Sequence, residues 1–381
     1  MENIESWTGR LLPLDEEFIP TGTSNRFDQG QVLFGKLRPY LAKATIADRS
    51  GGCSTELMVF EPKEFDNRFL LYLILSDGFI KLVDSSTQGS KMPRADWEFI
   101  GNIEVAYPPL PEQRAIATYL DERTARIDGL VARQRRLVQL LKEKRQALIT
   151  RAVTRGLNPK ARMKDSGVPW LGKVPEGWEV KPLRYLGTFQ NGISAGAEYF
   201  GSGYPFVNYK DVYQWPELPK EVEGLANSTP DDQSRYSVES GDVLFTRTSE
   251  TSEEIGIAST CTQTISEAIF SGFLIRFRPF PGTLSPAFSK HYFRCDVHRS
   301  FFAKEMNLVT RASLGQELLK RLPVLIPPLD EQKSIARWID ERCKDLDTLI
   351  TKVEQAIERL QEYRTALISA AVTGKVRVPA G

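Results

Sequence analysis

The chain has 381 residues, 41% hydrophobic and 10% aromatic, and its 50 Lys and Arg against 49 Asp and Glu leave a formal net charge of +1. That size and apolar content suit a globular chain of two or three domains and exclude a disordered one. Near-neutrality argues against an autonomous grip on nucleic acid, which usually needs a broad basic face, and leaves room for one shared with partners.

No apolar run reaches the 18 or more residues of a membrane span; the longest is Phe69–Leu75. No signal-peptide pattern opens the chain. The four cysteines (Cys53, Cys261, Cys295, Cys343) are scattered without a CxxC pair, which points to a reducing cytoplasm. From the start, strand-like runs such as GQVLFGK (30–36) and LMVF (57–60) alternate with turn residues, and NRFLLYLILSDGFIKLV (67–83) then predicts a short helical segment.

YPPL at 107–110 reads as the turn that starts a long helix. It resembles the NPPY of amino-methyltransferases but lacks the Asn or Asp whose oxygen would bind the target amine. Residues 108–155, beginning PPLPEQRAIATYLDE, align without a gap with 327–374, beginning PPLDEQKSIARWIDE, at an offset of 219; 21 of 48 positions are identical. A repeat this long outranks local propensity. Each copy is predicted as one long helix of roughly 40 residues, on the order of 60 Å. Apolar spacings of four and three place a coiled-coil seam at Leu130, Leu137, Leu141 and Leu148, and at Leu349, Val353, Ala356, Leu360, Tyr363 and Leu367. Neither stripe can stay exposed to water, so each helix is expected to pack against the other. Residues 108–158 are basic, with 11 Lys and Arg against 5 Asp and Glu. RQRR at 133–136 is most simply a solvated helix face, with a docking surface for a partner as the other reading.

The rest repeats more loosely. Phe69–Phe79 matches Phe288–His298 at the same offset, and GQVLFGK matches GDVLFTR (241–247) at 211. Each unit is therefore α+β: strands, a short helix, then the long helix. Phe34 and Phe245 read as core. The linker between the units contains GVPWLGK (167–173), nearly a phosphate-binding loop, but Val174 stands where Ser or Thr is needed and Pro169 and Trp170 fill the loop. Two histidines seven residues apart, His291 and His298, and no acidic cluster at ligand spacing give no triad, no metal site and no cofactor site.

A tandem pair of such domains, each followed by PPL-[PD]-EQ-x-x-I-A-x-x-[LI]-DE and a helix ending R-x-ALI-x-x-AVT, resembles the specificity subunit of type I restriction–modification enzymes. KDSGVPWLGKVPEGWEV (164–180) looks like that family's lead into its second target-recognition domain. The resemblance implies a non-catalytic, cytoplasmic reader of double-stranded DNA with two methyltransferase subunits and motor-nuclease subunits as partners. The implied organisation is a target-recognition domain at 1–107, a first long helix at 108–158, a linker at 159–177, a second recognition domain at 178–326, a second helix at 327–374 and a tail at 375–381. The two helices would pack as an antiparallel coiled coil with pseudo-twofold symmetry, so that each domain faces one half of a split target.

Base edges are read by Arg, Lys, Asn or Gln on loops. Lys36, Arg38, Lys91 and Arg94 in the first domain, and Lys210, Arg247 and Arg311 in the second, stand in polar, Gly- or Pro-containing stretches; solvated charge or a phosphate contact is the plainer reading of each. The first domain lacks a counterpart of GWEVKPLRYLGTFQNGISAG (177–196), so it reads as N-terminally incomplete and its sheet is expected to have one open edge. A coiled-coil adaptor without a DNA role, and a DNA enzyme in its own right, are the rival readings.

Overall fold

The computed structural model describes residues 1–13, 24–87, 91–249, 255–298, 300–302 and 312–378. The chain forms two compact units, residues 1–139 with 351–381, and residues 140–350.

In the first unit, strands β1 (Ser24–Phe27), β2 (Val32–Gly35), β3 (Ala44–Ile46), β4 (Gly51–Ser54) and β5 (Leu57–Phe60) precede helices α1 (Asn67–Ile74), α2 (Asp77–Ser85), α3 (Trp97–Gly101) and the start of α4 (Leu110–Arg155). β2 lies between β3 and β5, antiparallel to both, with Phe34 opposite Ala44 and Met58. Every residue of β2 is buried, as its unbroken apolar run requires of a strand covered on both faces. Val32 and Phe34 share a core with Phe69, Leu70 and Ile74 of α1. α1 starts after Asp66, whose carboxylate accepts from the amides of Arg68 and Phe69.

The second unit contains β6 (Met163–Asp165), β7 (Lys173–Pro175), β8 (Glu179–Pro182), β9 (Gly187–Asn191), β10 (Phe200–Val207), α5 (Tyr209–Gln214), β11 (Leu225–Ala226), α6 (Pro230–Arg235), β12 (Val243–Thr246), β13 (Thr248–Ser249), β14 (Ala258–Thr260), β15 (Ile269–Phe270) and β16 (Leu274–Pro279). There follow α7 (Pro286–Tyr292), β17 (Ala312–Ser313), α8 (Gln316–Lys320), β18 (Pro323–Ile326) and the start of α9 (Leu329–Val372). Its main sheet runs β14-β12-β16-β9, and β18 pairs with β8. β14, β12 and β16 correspond to β3, β2 and β5, and α7 and α8 to α1 and α3. Phe34 and Phe245 are both core residues. β8 and β9 have no counterpart among the described residues of the first unit, where β5 is the edge of its sheet and residues 103–107 form no strand.

The long helices exchange halves: residues 110–139 share a unit with 351–372, and residues 140–155 share one with 329–350, so they run antiparallel. The buried stripe corrects part of the expected seam. Leu130, Leu137 and Leu349 are 40%, 40% and 43% exposed, whereas the residues next to them, Val131, Val138 and Ile350, are buried. The sequence offers adjacent apolar pairs at these points, and apolarity alone does not choose between them. Polar residues also lie in the buried stripe: Thr124 and Arg364 are buried, and Gln134 and Arg145 half-buried. Leu141, Val353 and Leu367 are buried, Leu148, Ala356 and Leu360 half-buried, and Tyr363 exposed.

The repeated Glu-Gln motif fixes each long helix to its domain. Gln113 accepts from the Asp66 amide at 2.8 Å and donates through Nε2 to the carbonyls of Pro108 at 2.9 Å and Glu64 at 3.1 Å. Gln332 repeats the set on the Ser285 amide at 2.8 Å and the carbonyls of Pro327 at 2.9 Å and Thr283 at 3.0 Å. Both side chains are fully buried, so their amides need these partners. The Asp of the following Asp-Glu pair also repeats its role: Asp121 accepts from the Tyr72 hydroxyl at 2.8 Å, and Asp340 lies 2.8 Å from His291 Nε2. α4 ends at Gly156 in a left-handed turn (φ +70°), where a Cβ would lie 2.9 Å from Glu331 Oε1 and 3.2 Å from Trp178. That space is filled by the hydrogen bond from Trp178 Nε1 to Glu331 Oε2, 3.0 Å long.

Candidate nucleic-acid interface

The central strand of each unit delivers one basic residue into the same backbone frame. In the first, β2 ends at Gly35; the Lys36 amide donates to the Glu56 carbonyl at 2.9 Å and the Lys36 carbonyl accepts from the Ala95 amide at 2.9 Å. In the second, β12 ends at Thr246; the Arg247 amide donates to the Phe273 carbonyl at 2.9 Å and its carbonyl accepts from the Leu314 amide at 2.7 Å. Glu56 corresponds to Phe273 and Ala95 to Leu314, so Lys36 and Arg247 occupy one structural position. Both residues are half-buried. Long cationic side chains can bury their methylene stems and keep the charged head in water.

Two loops meet at the Lys36 position. An antiparallel bridge joins Leu37 to Arg94, and the Arg38 amide donates to the Pro93 carbonyl at 2.8 Å. Arg38 adopts a left-handed conformation (φ 52°) before a 3-10 turn at Pro39–Leu41. That region costs a residue with a Cβ on the order of 1 kcal/mol, and such strain clusters where a side chain must be aimed. Here Pro39 is buried and Arg38 exposed. Lys91 stands exposed in the same loop as Arg94, whose guanidinium is held by the Glu56 carboxylate at 3.0 Å. The structure thus gathers Lys36, Arg38, Lys91 and Arg94 at one end of the first sheet.

The second unit gathers fewer of the expected residues. Arg247 leads into the short β13–β17 ladder. Arg311 lies outside the described residues. Lys210 sits instead on α5, a helix held by a capping box between Asn208 and Asp211 and packed against β12 and β14; its ammonium is 3.8 Å from Glu223.

Two exposed aromatic side chains flank these positions and were not singled out from the sequence: Tyr40 in the turn after Arg38, and Phe273, 61% exposed, whose carbonyl holds the Arg247 amide. The signal for Tyr40 was its place in an Arg-Pro-Tyr turn; Phe273 was hidden because it opens an apolar strand sequence. Cationic forks beside aromatic faces can hold phosphate oxygens, hydrogen-bond base edges and stack on bases. Among the described residues no group of three or more His, Cys, Asp and Glu stands where it could hold a metal ion. Burial pushes the Cys261 thiol up to about 12, which leaves it unreactive. No helix is long and apolar enough to cross a membrane among the described residues.

The chain is 25% identical over 316 residues to the EcoKI specificity subunit of Escherichia coli K12, which covers 81% of this chain and 65% of that protein. It is 24% identical over 341 residues to the MjaVIII specificity subunit of Methanocaldococcus jannaschii, covering 87% of this chain and 75% of the relative. A solved chain from a study of complex assembly and conformational transition of the type I restriction–modification system shares the fold, with a TM-score of 0.75, 18% identity, and coverage of 98% of this chain and 90% of that one. The profile for the type I restriction modification DNA specificity domain matches twice, over residues 13–136 and 175–359. Two matched domains, each with its central-strand cation and its clamped long helix, place the chain in one family: it belongs to the type I restriction modification DNA specificity domain family.

Proposed function

We propose that this chain is the DNA-reading specificity subunit of a type I restriction–modification assembly, as the names of its EcoKI and MjaVIII relatives indicate for those proteins. In this reading it is a cytoplasmic, non-catalytic subunit. It recognises a bipartite, asymmetric target on double-stranded DNA and scaffolds two methyltransferase subunits and the motor-nuclease subunits. Recognition domains at 1–107 and 178–326, joined by the linker at 159–177, each take one half-site. The helices at 108–158 and 327–374 set the number of unread base pairs between the half-sites, and 375–381 is a tail.

The observation that carries the reading is the equivalence of Lys36 and Arg247. One cation at the same place in two similar frames is what a split, two-part site demands, and the differing residues around them, Glu56 against Phe273, allow the two halves to differ in sequence. Arg38, Lys91, Arg94, Lys210 and Arg311 are assigned to phosphate or base contacts around these two. The test is methylome sequencing of the host with and without this gene, followed by complementation with Lys36→Ala and Arg247→Ala. A bipartite methylated motif should vanish with the gene, and each substitution should relax one half-site while leaving the other intact. Loss of no motif on deletion would favour a coiled-coil adaptor without a DNA role.

A further inference from the structure

The two units differ as a pair at two matched positions beside the central-strand cation. The Glu56 amide donates to the Ser54 hydroxyl at 3.2 Å, and the Phe273 amide donates to the Ser271 hydroxyl at 3.3 Å, so the two turns share one geometry. The residues facing them match as well: Leu37 bridges Arg94 as Thr248 pairs with Ser313. Glu56 and Arg94 therefore stand where the second unit has Phe273 and Ser313. An acid and a base are present together in one unit and replaced together in the other.

Arg94 is held at both ends. Its backbone is pinned by the Leu37 bridge and by the hydrogen bonds of its neighbours, Arg38 amide to Pro93 carbonyl at 2.8 Å and Ala95 amide to Lys36 carbonyl at 2.9 Å. At the far end, Nε donates to the Glu56 carboxylate oxygens at 3.1 Å and 3.2 Å, and Nη2 donates to Oε1 at 3.0 Å. The carboxylate thus occupies the Nε–Nη2 edge of the guanidinium. The neighbouring Nη1–Nη2 edge keeps a parallel pair of donors. Apart from Glu56, the guanidinium touches the Met92 carbonyl, which lies 3.5 Å from Nη1. The Arg94 side chain is 45% exposed and that of Glu56 27%, so the fork is reachable while its support is partly covered.

Charge decides what such a fork binds. A phosphate is drawn by net positive charge, and the Glu56 carboxylate both offsets the charge of Arg94 and repels a phosphate. A base edge is neutral, and guanine presents O6 and N7 in the major groove as two acceptors that a guanidinium fork meets together. Arg38 and Lys91, both exposed, and Lys36 stand at the same end of the sheet to take phosphates. We infer that Arg94 reads a guanine in one half-site and that Glu56 is its positioning residue, fixing the fork and turning it from phosphate to base. The second unit, with Phe273 and Ser313 at these places, reads no guanine from the equivalent position.

This inference rests on the DNA-reading role, and its test separates the two. The full-length chain, in complex with its methyltransferase subunits, is titrated at several salt concentrations with duplexes carrying the methylated motif, each G·C pair replaced in turn. In the parent, one guanine of one half-site should be preferred by about tenfold or more. Arg94→Ala and Arg94→Lys should each abolish that preference and leave the other positions intact; the lysine keeps the charge but not the fork. Glu56→Gln should weaken the same preference, strengthen binding to scrambled DNA and steepen the slope of log affinity against log salt by about 1, because it frees the Arg94 charge for phosphate. Arg94→Ala with Glu56→Gln removes the pair as a neutral unit, so the preference should be lost with the slope unchanged. An unchanged preference at every guanine in Arg94→Lys, equal weakening of Arg94→Ala on all sequences, or a motif without a G·C pair in its half-sites overturns the inference and leaves the DNA-reading role standing. No motif lost on deletion of the gene overturns both.

Discussion

Arg364 Nε donates to Asp128 Oδ1 at 3.0 Å, and with 6% and 11% of their side chains exposed the two form a buried ion pair between the long helices of the first unit. The remaining guanidinium nitrogens are satisfied by the carbonyls of Trp7 at 2.7 Å and Thr8 at 3.0 Å. At the same positions of the repeat, Arg145 Nε lies 3.0 Å from Asp347, outside hydrogen-bond geometry and with side chains 36% and 52% exposed. Identical residues therefore sit in different surroundings. Arg364→Ala should cost about 1–3 kcal/mol: Asp128 keeps Arg10 at 2.8 Å, but the Trp7 and Thr8 carbonyls lose their donor. Arg145→Ala should cost about 0–1 kcal/mol. Urea unfolding of both variants, with a double-mutant cycle at each pair, checks the contrast; equal costs would refute it.

The glutamine clamps make a second prediction. Gln332→Leu keeps the volume and removes three hydrogen bonds, leaving the buried Ser285 amide and the Pro327 and Thr283 carbonyls unpaired. A loss of about 2–4 kcal/mol is expected from stranded buried groups. Hydrogen exchange should localise it to the first turn of α7, and the equivalent Gln113→Leu to the first turn of α1. Uniform loss of protection across both units would contradict a local clamp.

For DNA, Lys36→Ala and Arg247→Ala should each weaken binding by about 1–3 kcal/mol if they reach base edges, with relaxed specificity at one half-site. If instead they hold phosphates, affinity falls for every sequence and the slope of log affinity against log salt shrinks by about 1 per substitution. Titrations of the methyltransferase complex with specific and scrambled duplexes at several salt concentrations separate the two.

The contact of Asp340 with His291 and Lys290 sets a pH window. Burial disfavours the Asp340 charge, but hydrogen bonds and charge from His291 and Lys290 outweigh it and hold the carboxyl below its ordinary 3.8. Burial likewise opposes the Lys290 charge, but Asp340 and Glu217 lift the ammonium above its ordinary 10.5. A lowered acid stabilises the fold above 3.8 and loses that contribution as pH falls through its folded value; a raised base stabilises below 10.5 and loses it as pH rises through its own. The Tm difference between the parent and Asp340→Asn should thus close as pH drops well below 3.8. A difference that persists in strong acid would show that packing, not charge, is responsible.

How much of this was legible in the sequence varies with the length of the signal. The tandem organisation and the two long helices rest on a 48-residue repeat, and helix α4 at 110–155 with α9 at 329–372 follow it closely. That nothing in the first unit aligns with residues 177–196 was legible, and no counterpart of β8 and β9 stands among its described residues. The phase of the helix seam was not, because Leu130-Val131, Leu137-Val138 and Leu349-Ile350 present two apolar residues each and the choice is made by tertiary partners. Nor was the pairing of Arg94 with Glu56, which are distant in sequence and meet only through the Leu37–Arg94 bridge. Lys36 was legible as a basic residue after a strand; that it and Arg247 share a frame needed the backbone hydrogen bonds.

The hydrogen bonds of Gln113 and Gln332 all go to main-chain amides and carbonyls. Bonds of that kind do not depend on which side chains the gripped turn carries, so the loops of the domain can change in sequence while the helix still seats in the same place. Change in what is read and constancy in how it is held are separated at a single amide side chain.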